Sequence, residues 1–155
     1  MEQKQVEEIV RSYRDIFIEI EPRSGAAALN KTILLLFPDF YTDRCFQLLN
    51  EVQQEIKPFF VEAGLMIGEF HQRNLSPGLH NENFRPLRSP VPLLAIRFMV
   101  EADLPFLNRP SDQPHLRIKY LEAYLQHLSS KDEQNLTKAR EALVLAKLSA
   151  IRYPL

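Results

Sequence analysis

One segment limits the possible folds of this chain more than any other. Residues 72–91 separate two apolar runs, Leu65–His71 and Pro92–Val100, and show neither helical nor strand periodicity. Loops longer than about 12–15 residues in a compact domain are usually functional or disordered. Prolines reduce the entropy lost when this loop becomes ordered, and five apolar residues can anchor it: Leu75, Leu79, Phe84, Leu87 and Val91. We therefore predict an ordered loop that forms a site or an interface.

The patterns on either side of the loop predict an α+β fold. Helical spacing of apolar residues appears in four segments: Gln3–Arg14, a helix that follows Thr42 or Asp39, Leu116–Leu128, and roughly Asp132–Ile151. Four further segments have strand character: Ile16–Ile20, Thr32–Phe37, Leu65–His71 and Pro92–Val100. We expect a small, mostly antiparallel sheet with helices packed on one face, a ferredoxin-like βαββα core and a helical C-terminal third.

Several local features refine this expectation. Thr32–Phe37 is continuously apolar, which is typical of a strand buried on both faces. Pro58 is expected to end or kink its helix, and Gly64 is a candidate C-terminal stop. Ser129 or Ser130 can cap the last helix. The length of 155 residues favours a single domain spanning 1–155.

Composition excludes several classes of function. The formal net charge is −1, so there is no broad basic surface for nucleic acid and little attraction to an anionic membrane. Cys45 is the only cysteine, which excludes an internal disulfide and a cysteine-based zinc site. The first residues lack the apolar centre of a signal peptide. We expect a soluble protein of the cytoplasm, and the sequence leaves a homo-oligomer open.

Two charged residues near the loop are predicted to be neighbours. Arg97 lies in an apolar strand that should be buried, and a buried arginine needs a partner. Glu69, on the neighbouring strand, is the obvious one. The pair either fixes the strands in register or takes part in a functional site, because both roles use such pairs.

Two histidines flank the first turn of the loop. Glu69 and His71 share a face if the strand continues, and His80 lies beyond the turn Ser76–Gly78. Histidine titrates nearest neutral pH, so His71 or His80 is the candidate for proton transfer, with Glu69 orienting His71 or Arg97. The three could form a two-histidine, one-carboxylate metal site, but their spacing matches no known ligand pattern, and we predict no metal. The simpler alternative is that both histidines bind loop backbone.

Three arginines are candidates for anion binding. Arg85, Arg88 and Arg97 could hold a carboxylate or phosphate through bidentate hydrogen bonds, with Asn83 as a further ligand-binding residue. They could equally pair with nearby acidic side chains or face water. No phosphate-binding glycine loop, nucleophile elbow or other cofactor motif is present, so the cofactor is unknown.

Five blocks of sequence resemble an uncharacterised bacterial domain family, a domain of unknown function. They are Gly68–His71, Pro77–Asn81, Phe84–Pro92, Leu94–Arg97 and Ala102–Leu107. The resemblance covers roughly Thr32–Leu107. Where the family carries a proline after the histidine, this chain has Gln72, so a proline-fixed turn is not expected there. The resemblance implies no particular activity.

Two functions are therefore open. In the first, an enzyme or small-molecule-binding protein holds an anionic ligand under the 72–91 loop. In the second, an interaction or accessory module without catalytic activity presents the loop and the C-terminal helices to a protein partner. A pocket lined by Glu69, His71 and the arginines favours the first, and an exposed apolar patch on the C-terminal helices favours the second.

Overall fold

The computed structural model describes residues 2–128 and 132–154. Its helices and strands are α1 (Gln3–Glu19), β1 (Thr32–Leu36), α2 (Asp43–Glu62), β2 (Leu65–Phe70), β3 (Leu93–Phe98), α3 (Leu104–Leu107), α4 (Pro114–His127) and α5 (Glu133–Arg152). Two short 3₁₀ helices, Ala26–Asn30 and Glu101–Asp103, precede β1 and α3. The α+β class and the helical C-terminal part are confirmed. Within the described residues, no helix is long and apolar enough to cross a membrane.

The first helix extends over a segment predicted to be a strand. The strand expected at Ile16–Ile20 is wrong, because α1 continues to residue 19. Phe17 lies on the same helix face as Val6 and Val10, and all three are buried. The ammonium of Lys31 donates to the carbonyl oxygen of Phe17 at 2.6 Å, near the C-terminal end of the helix. Burial of this face and a cation on the last carbonyls outweigh the strand propensity of the isoleucines.

The three strands form one sheet in the order β1-β3-β2, so β1 lies at an edge. β1 runs antiparallel to β3, with Thr32 opposite Arg97. The expectation that β1 is buried on both faces is wrong: its exposure alternates, and Leu34 and Leu36 are exposed. Such alternation is typical of an antiparallel strand with one covered face. The continuous apolar run of β1 did not distinguish a strand buried on both faces from a strand with one covered face.

The second helix begins as predicted. The backbone N–H of Cys45 donates to Oγ1 of Thr42 at 3.2 Å, so Thr42 acts as the cap. Pro58 does not end the helix, which continues to residue 62. Ile56 and Phe60, on either side of Pro58, are fully buried, and this packing favours continuation. Gly64 follows the helix with a φ of 75°, the left-handed conformation of a C-terminal stop.

The internal contacts divide the chain into two compact units. The first unit comprises residues 1–57 and 67–97, and the second comprises residues 58–66 and 98–155. The first contains α1, β1 and the 72–91 loop. The single domain expected from length stays a prediction.

The second unit is built around α4 and α5, which pack against each other. Its buried core includes Leu121 and Tyr124 of α4. The hydroxyl of Tyr124 donates to the carbonyl oxygen of Glu101 at 2.9 Å. The inner face of α5 consists mainly of small residues, which allow close packing: Leu136, Ala139, Ala142 and Ala146 are buried.

Asp132 caps the last helix. Its carboxylate accepts hydrogen bonds from the backbone N–H groups of Gln134 at 3.1 Å and Asn135 at 3.4 Å. These N–H groups have no partner within the helix, so the carboxylate satisfies them. The predicted caps Ser129 and Ser130 lie outside the described residues.

Candidate functional site

His71 lies directly after β2 and is buried. Its backbone N–H donates to the carbonyl of Leu87 at 3.3 Å, and its carbonyl accepts from the N–H of Ser89 at 3.4 Å. Its ring stacks on Phe46 of α2 with a centroid distance of 4.9 Å and an interplanar angle of 5°. Its Nε2 donates to Oδ1 of Asn50 at 2.9 Å. Burial lowers the pKa of the imidazole below its usual value of 6.5. His71 is therefore neutral near pH 7, and its Nδ1 is an acceptor.

The Nδ1 atom of His71 is unusual because no described residue donates a hydrogen bond to it. Nδ1 is buried and has no hydrogen-bond partner among the described residues. Buried polar atoms are nearly always hydrogen-bonded, and leaving one unpaired is costly. Protonation of this atom would place an N–H where no acceptor is present, which agrees with the lowered pKa.

Asn74 connects the start of the loop to β2. Its side chain is buried, and its Nδ2 donates to the carbonyl oxygen of Glu69 at 3.1 Å, with the carboxylate Oε1 of Glu69 at 3.5 Å. Its Oδ1 accepts from the backbone N–H of Ser76 at 2.9 Å. Its own N–H donates to the carbonyl of His71 at 3.2 Å. One amide thus fixes the turn at the start of the loop.

The arginines of the loop bind its own backbone. Arg85 donates from Nη1 to the carbonyl oxygens of Glu82 and Phe84. Arg88 donates from Nε to the carbonyl of Asn74 at 3.3 Å, across the loop. Both side chains therefore satisfy carbonyl groups that a loop without secondary structure leaves unpaired. The anion pocket predicted for them stays a prediction.

The other predicted loop residues lie at the surface. His80 and Asn83 are exposed. The backbone N–H of Asn83 donates to Oδ1 of Asn81, so the tip is a local turn. His80 is thus exposed while His71 is buried. Within the described residues, no group of three histidine, cysteine or acidic side chains could hold a metal ion.

Glu69 and Arg97 lie on adjacent strands, since β2 is the neighbour of β3. Arg97 is half-buried and not buried as its apolar neighbours suggested. The reason is the alternation along β3: Leu94 and Ile96 occupy the covered face, and Arg97 lies on the other. Each of the two charged side chains takes part in interactions within the structure. That they bind each other stays a prediction.

The opposite edge of the sheet carries a surface that the sequence did not indicate. Leu34 and Leu36 of β1 are 55% and 58% exposed. They lie opposite Ala95 and Leu93 of β3, so the four form one apolar surface, which we call the outer sheet face. The sequence analysis predicted that β1 is buried on both faces, so it did not predict this exposed surface.

Asn50 and Asn74 are the site residues that sequence reasoning missed. Phe46 and Asn50 are four residues apart on α2, a spacing that places both on one helix face. Asn74, Ser76 and a following proline form a turn signal, since asparagine and serine side chains bind nearby backbone groups. This signal predicts a turn, but it does not predict that the amide is buried.

Comparison with known families identifies the family of the chain. The model of DUF6875, described as a domain of unknown function, matches residues 1–139. The chain belongs to this family. The predicted membership in a family of unknown function is confirmed, and the match extends beyond Thr32–Leu107 on both sides. No curated protein and no solved structure matches the chain.

Proposed function

We propose that the protein is an interaction module that binds an extended segment of a partner protein along the open edge of β1. The observation that carries the proposal is the hydrogen-bonding pattern of the β1 backbone. The N–H of Phe37 donates to the carbonyl of Pro92 at 2.9 Å, which makes that pair hydrogen-bonded. Because such pairs alternate along an antiparallel ladder, the backbone groups of Thr32, Leu34 and Leu36 point away from β3.

These outward groups are open to a new strand. The backbones of Leu34 and Leu36 form no further hydrogen bond with any described residue. Proteins usually protect such edges with charges, prolines or bulges. The sequence of β1, TILLL, contains neither a charge nor a proline. An edge of this kind fits strand addition, in which main-chain hydrogen bonds supply affinity.

The outer sheet face supplies specificity. In a strand added beside β1, every second side chain would lie next to Leu34 and Leu36. Both are exposed and aliphatic, and Ala95 and Leu93 extend the surface across β3. The segment that fits is therefore extended and apolar at alternate positions, with a length near the five residues of β1. Burial of those side chains adds the hydrophobic contribution.

A single proline tests the mechanism. Leu34→Pro removes an outward N–H without removing a bond to β3, and edge strands tolerate proline at such positions. A display library of random linear peptides is selected against the purified chain, and enriched peptides are measured by fluorescence anisotropy. We expect apolar residues at alternate positions, and affinity for Leu34→Pro about tenfold weaker, the equivalent of about 1.4 kcal/mol.

Leu35→Pro is the matched control. Leu35 is opposite Leu94, and its N–H belongs to the ladder, so this variant loses stability where Leu34→Pro does not. A library with no enriched pattern, or peptides that bind Leu34→Pro as well as the unaltered chain, would reject the proposal.

A second candidate function is the binding of an anionic small molecule under the 72–91 loop. The unpaired Nδ1 of His71 favours it, since a ligand hydroxyl could donate to that atom. It ranks second because Arg85 and Arg88 donate to loop carbonyls. Organic acids and phosphorylated metabolites are screened by thermal shift at low salt, since a ligand of the native state raises the melting temperature. A true hit weakens in Arg88→Lys, which loses the bidentate geometry.

A further inference from the structure

The outward face of α5 carries aliphatic side chains where a surface helix is normally polar. Val144, Leu145, Leu148 and Ile151 are all more than half exposed, between 54% and 77%. Their spacing of three and four residues places them on neighbouring turns, so they form one stripe. All four follow residue 139, the last residue that the family model matches. We call them the α5 stripe.

The charges at the two ends of this stripe are opposite. Glu141 and Arg152 are exposed and lie four residues before Leu145 and four after Leu148. The four residues share one helix face, with the order acidic, apolar, apolar, basic. Two other basic residues of α5 are paired within the second unit: Lys147 with Glu122 at 3.5 Å and Arg140 with Glu133 at 3.9 Å. Neither Glu141 nor Arg152 forms an ion pair with any described residue.

We propose that α5 binds the α5 of a second copy of this chain in antiparallel orientation. The pattern is self-complementary about a two-fold axis midway between Ala146 and Lys147. In this arrangement Glu141 meets Arg152 of the second copy, and Leu145 meets Leu148. A parallel arrangement would instead oppose like charges, which destabilises the contact. A two-fold interface uses the same surface on both copies, as this pattern requires.

The proposal is independent of strand addition at β1. The α5 stripe and the outer sheet face lie in different units and share no residue. Leu34→Pro should therefore leave self-association unchanged, and loss of self-association should leave peptide selection unchanged. Failure of one proposal is distinguishable from failure of the other.

Sedimentation equilibrium of the full chain over a wide concentration range measures the association. We expect a concentration-dependent dimer, and a dissociation constant at least tenfold higher for Leu145→Lys, because two lysines would then enter an apolar contact. Leu145 is exposed, so the substitution should not alter the melting temperature. Arg140→Ala is the control, because Arg140 lies on the same helix and pairs with Glu133 of its own chain at 3.9 Å.

Disulfide crosslinking tests the orientation. Glu141→Cys and Arg152→Cys are prepared separately with Cys45→Ser, then mixed under oxidising conditions. The antiparallel arrangement gives a crosslink only in the mixture, because residues 141 of the two copies would lie about 16 Å apart, beyond disulfide reach. A chain that stays monomeric at all concentrations overturns the proposal. So does a dimer that Leu145→Lys leaves intact, or one that crosslinks through either variant alone.

Discussion

Asn74 should control the opening of the 72–91 loop. Asn74→Ala removes two hydrogen bonds, one to the carbonyl of Glu69 at 3.1 Å and one from the N–H of Ser76 at 2.9 Å. Each bond contributes about 0.5–1.5 kcal/mol, and buried partners left unpaired add to the loss. We expect the free energy of loop opening to fall by about 2–3 kcal/mol, since both bonds close the same turn.

Limited proteolysis measures this opening. Trypsin can cut after Arg73 and Arg88, whereas Arg85 is followed by a proline and resists. When opening and closing are fast, the cutting rate follows the population of the open form. A loss of 2–3 kcal/mol corresponds to roughly 30- to 150-fold faster cutting at these two positions. Cutting elsewhere in the chain would report unfolding of the whole protein instead.

Asn83→Ala is the matched control in the same loop. Asn83 is exposed, and only its backbone N–H enters a hydrogen bond in the described structure. This variant should be cut at the rate of the unaltered chain. If Asn74→Ala is cut no faster than Asn83→Ala, the buried amide does not close the loop and the reasoning fails.

Two further predictions concern stability. Burial lowers the pKa of His71, so below about pH 6.5 the unfolded chain binds a proton that the folded chain does not. The free energy of unfolding should be highest above that pH and fall as the pH decreases; in urea titrations His71→Gln should reduce this slope. Gly64 and Gly25 have φ values of 75° and 80°, but only a Cβ at Gly64 would meet His127, at 2.7 Å. Both alanine variants should lose roughly 1–2 kcal/mol from backbone strain, and Gly64→Ala should lose more. Equal denaturation midpoints for Gly64→Ala and Gly25→Ala would contradict the expected clash between the new Cβ at position 64 and His127.

Periodicity predicted the elements whose packing agrees with their local sequence. The helix after Thr42 and the strands on either side of the loop follow the predicted pattern. The segment Ile16–Ile20 did not, because a local preference for strand could not reveal that Phe17 joins Val6 and Val10 on a buried face. Tertiary packing overrides propensity in such cases, and the partner, Lys31, is distant in sequence.

The sequence indicated the 72–91 loop as the segment to consider, but it did not indicate which contacts hold the loop together. The apolar residues expected to anchor the loop are mostly exposed, among them Leu75, Leu79 and Phe84. Side-chain hydrogen bonds from Asn74, Arg85 and Arg88 to backbone carbonyls connect residues 72–91 instead. Their partners could not be predicted, because a side chain that binds a backbone carbonyl leaves no pattern in the sequence. Arg88 and Asn74 meet across the loop for this reason, 14 residues apart.

Hydrogen bonds from loop side chains to the backbone change which residues need a functional explanation. A loop without regular structure must pair its backbone groups by other means, and Asn74, Arg85 and Arg88 do so. Their polarity is therefore accounted for by the fold. The exposed leucines of β1 and α5 have no such account, since burial would stabilise them and the described chain leaves them in water. We propose that partner proteins supply that burial, so these two apolar surfaces are a stronger basis for a function than the polar side chains of the loop.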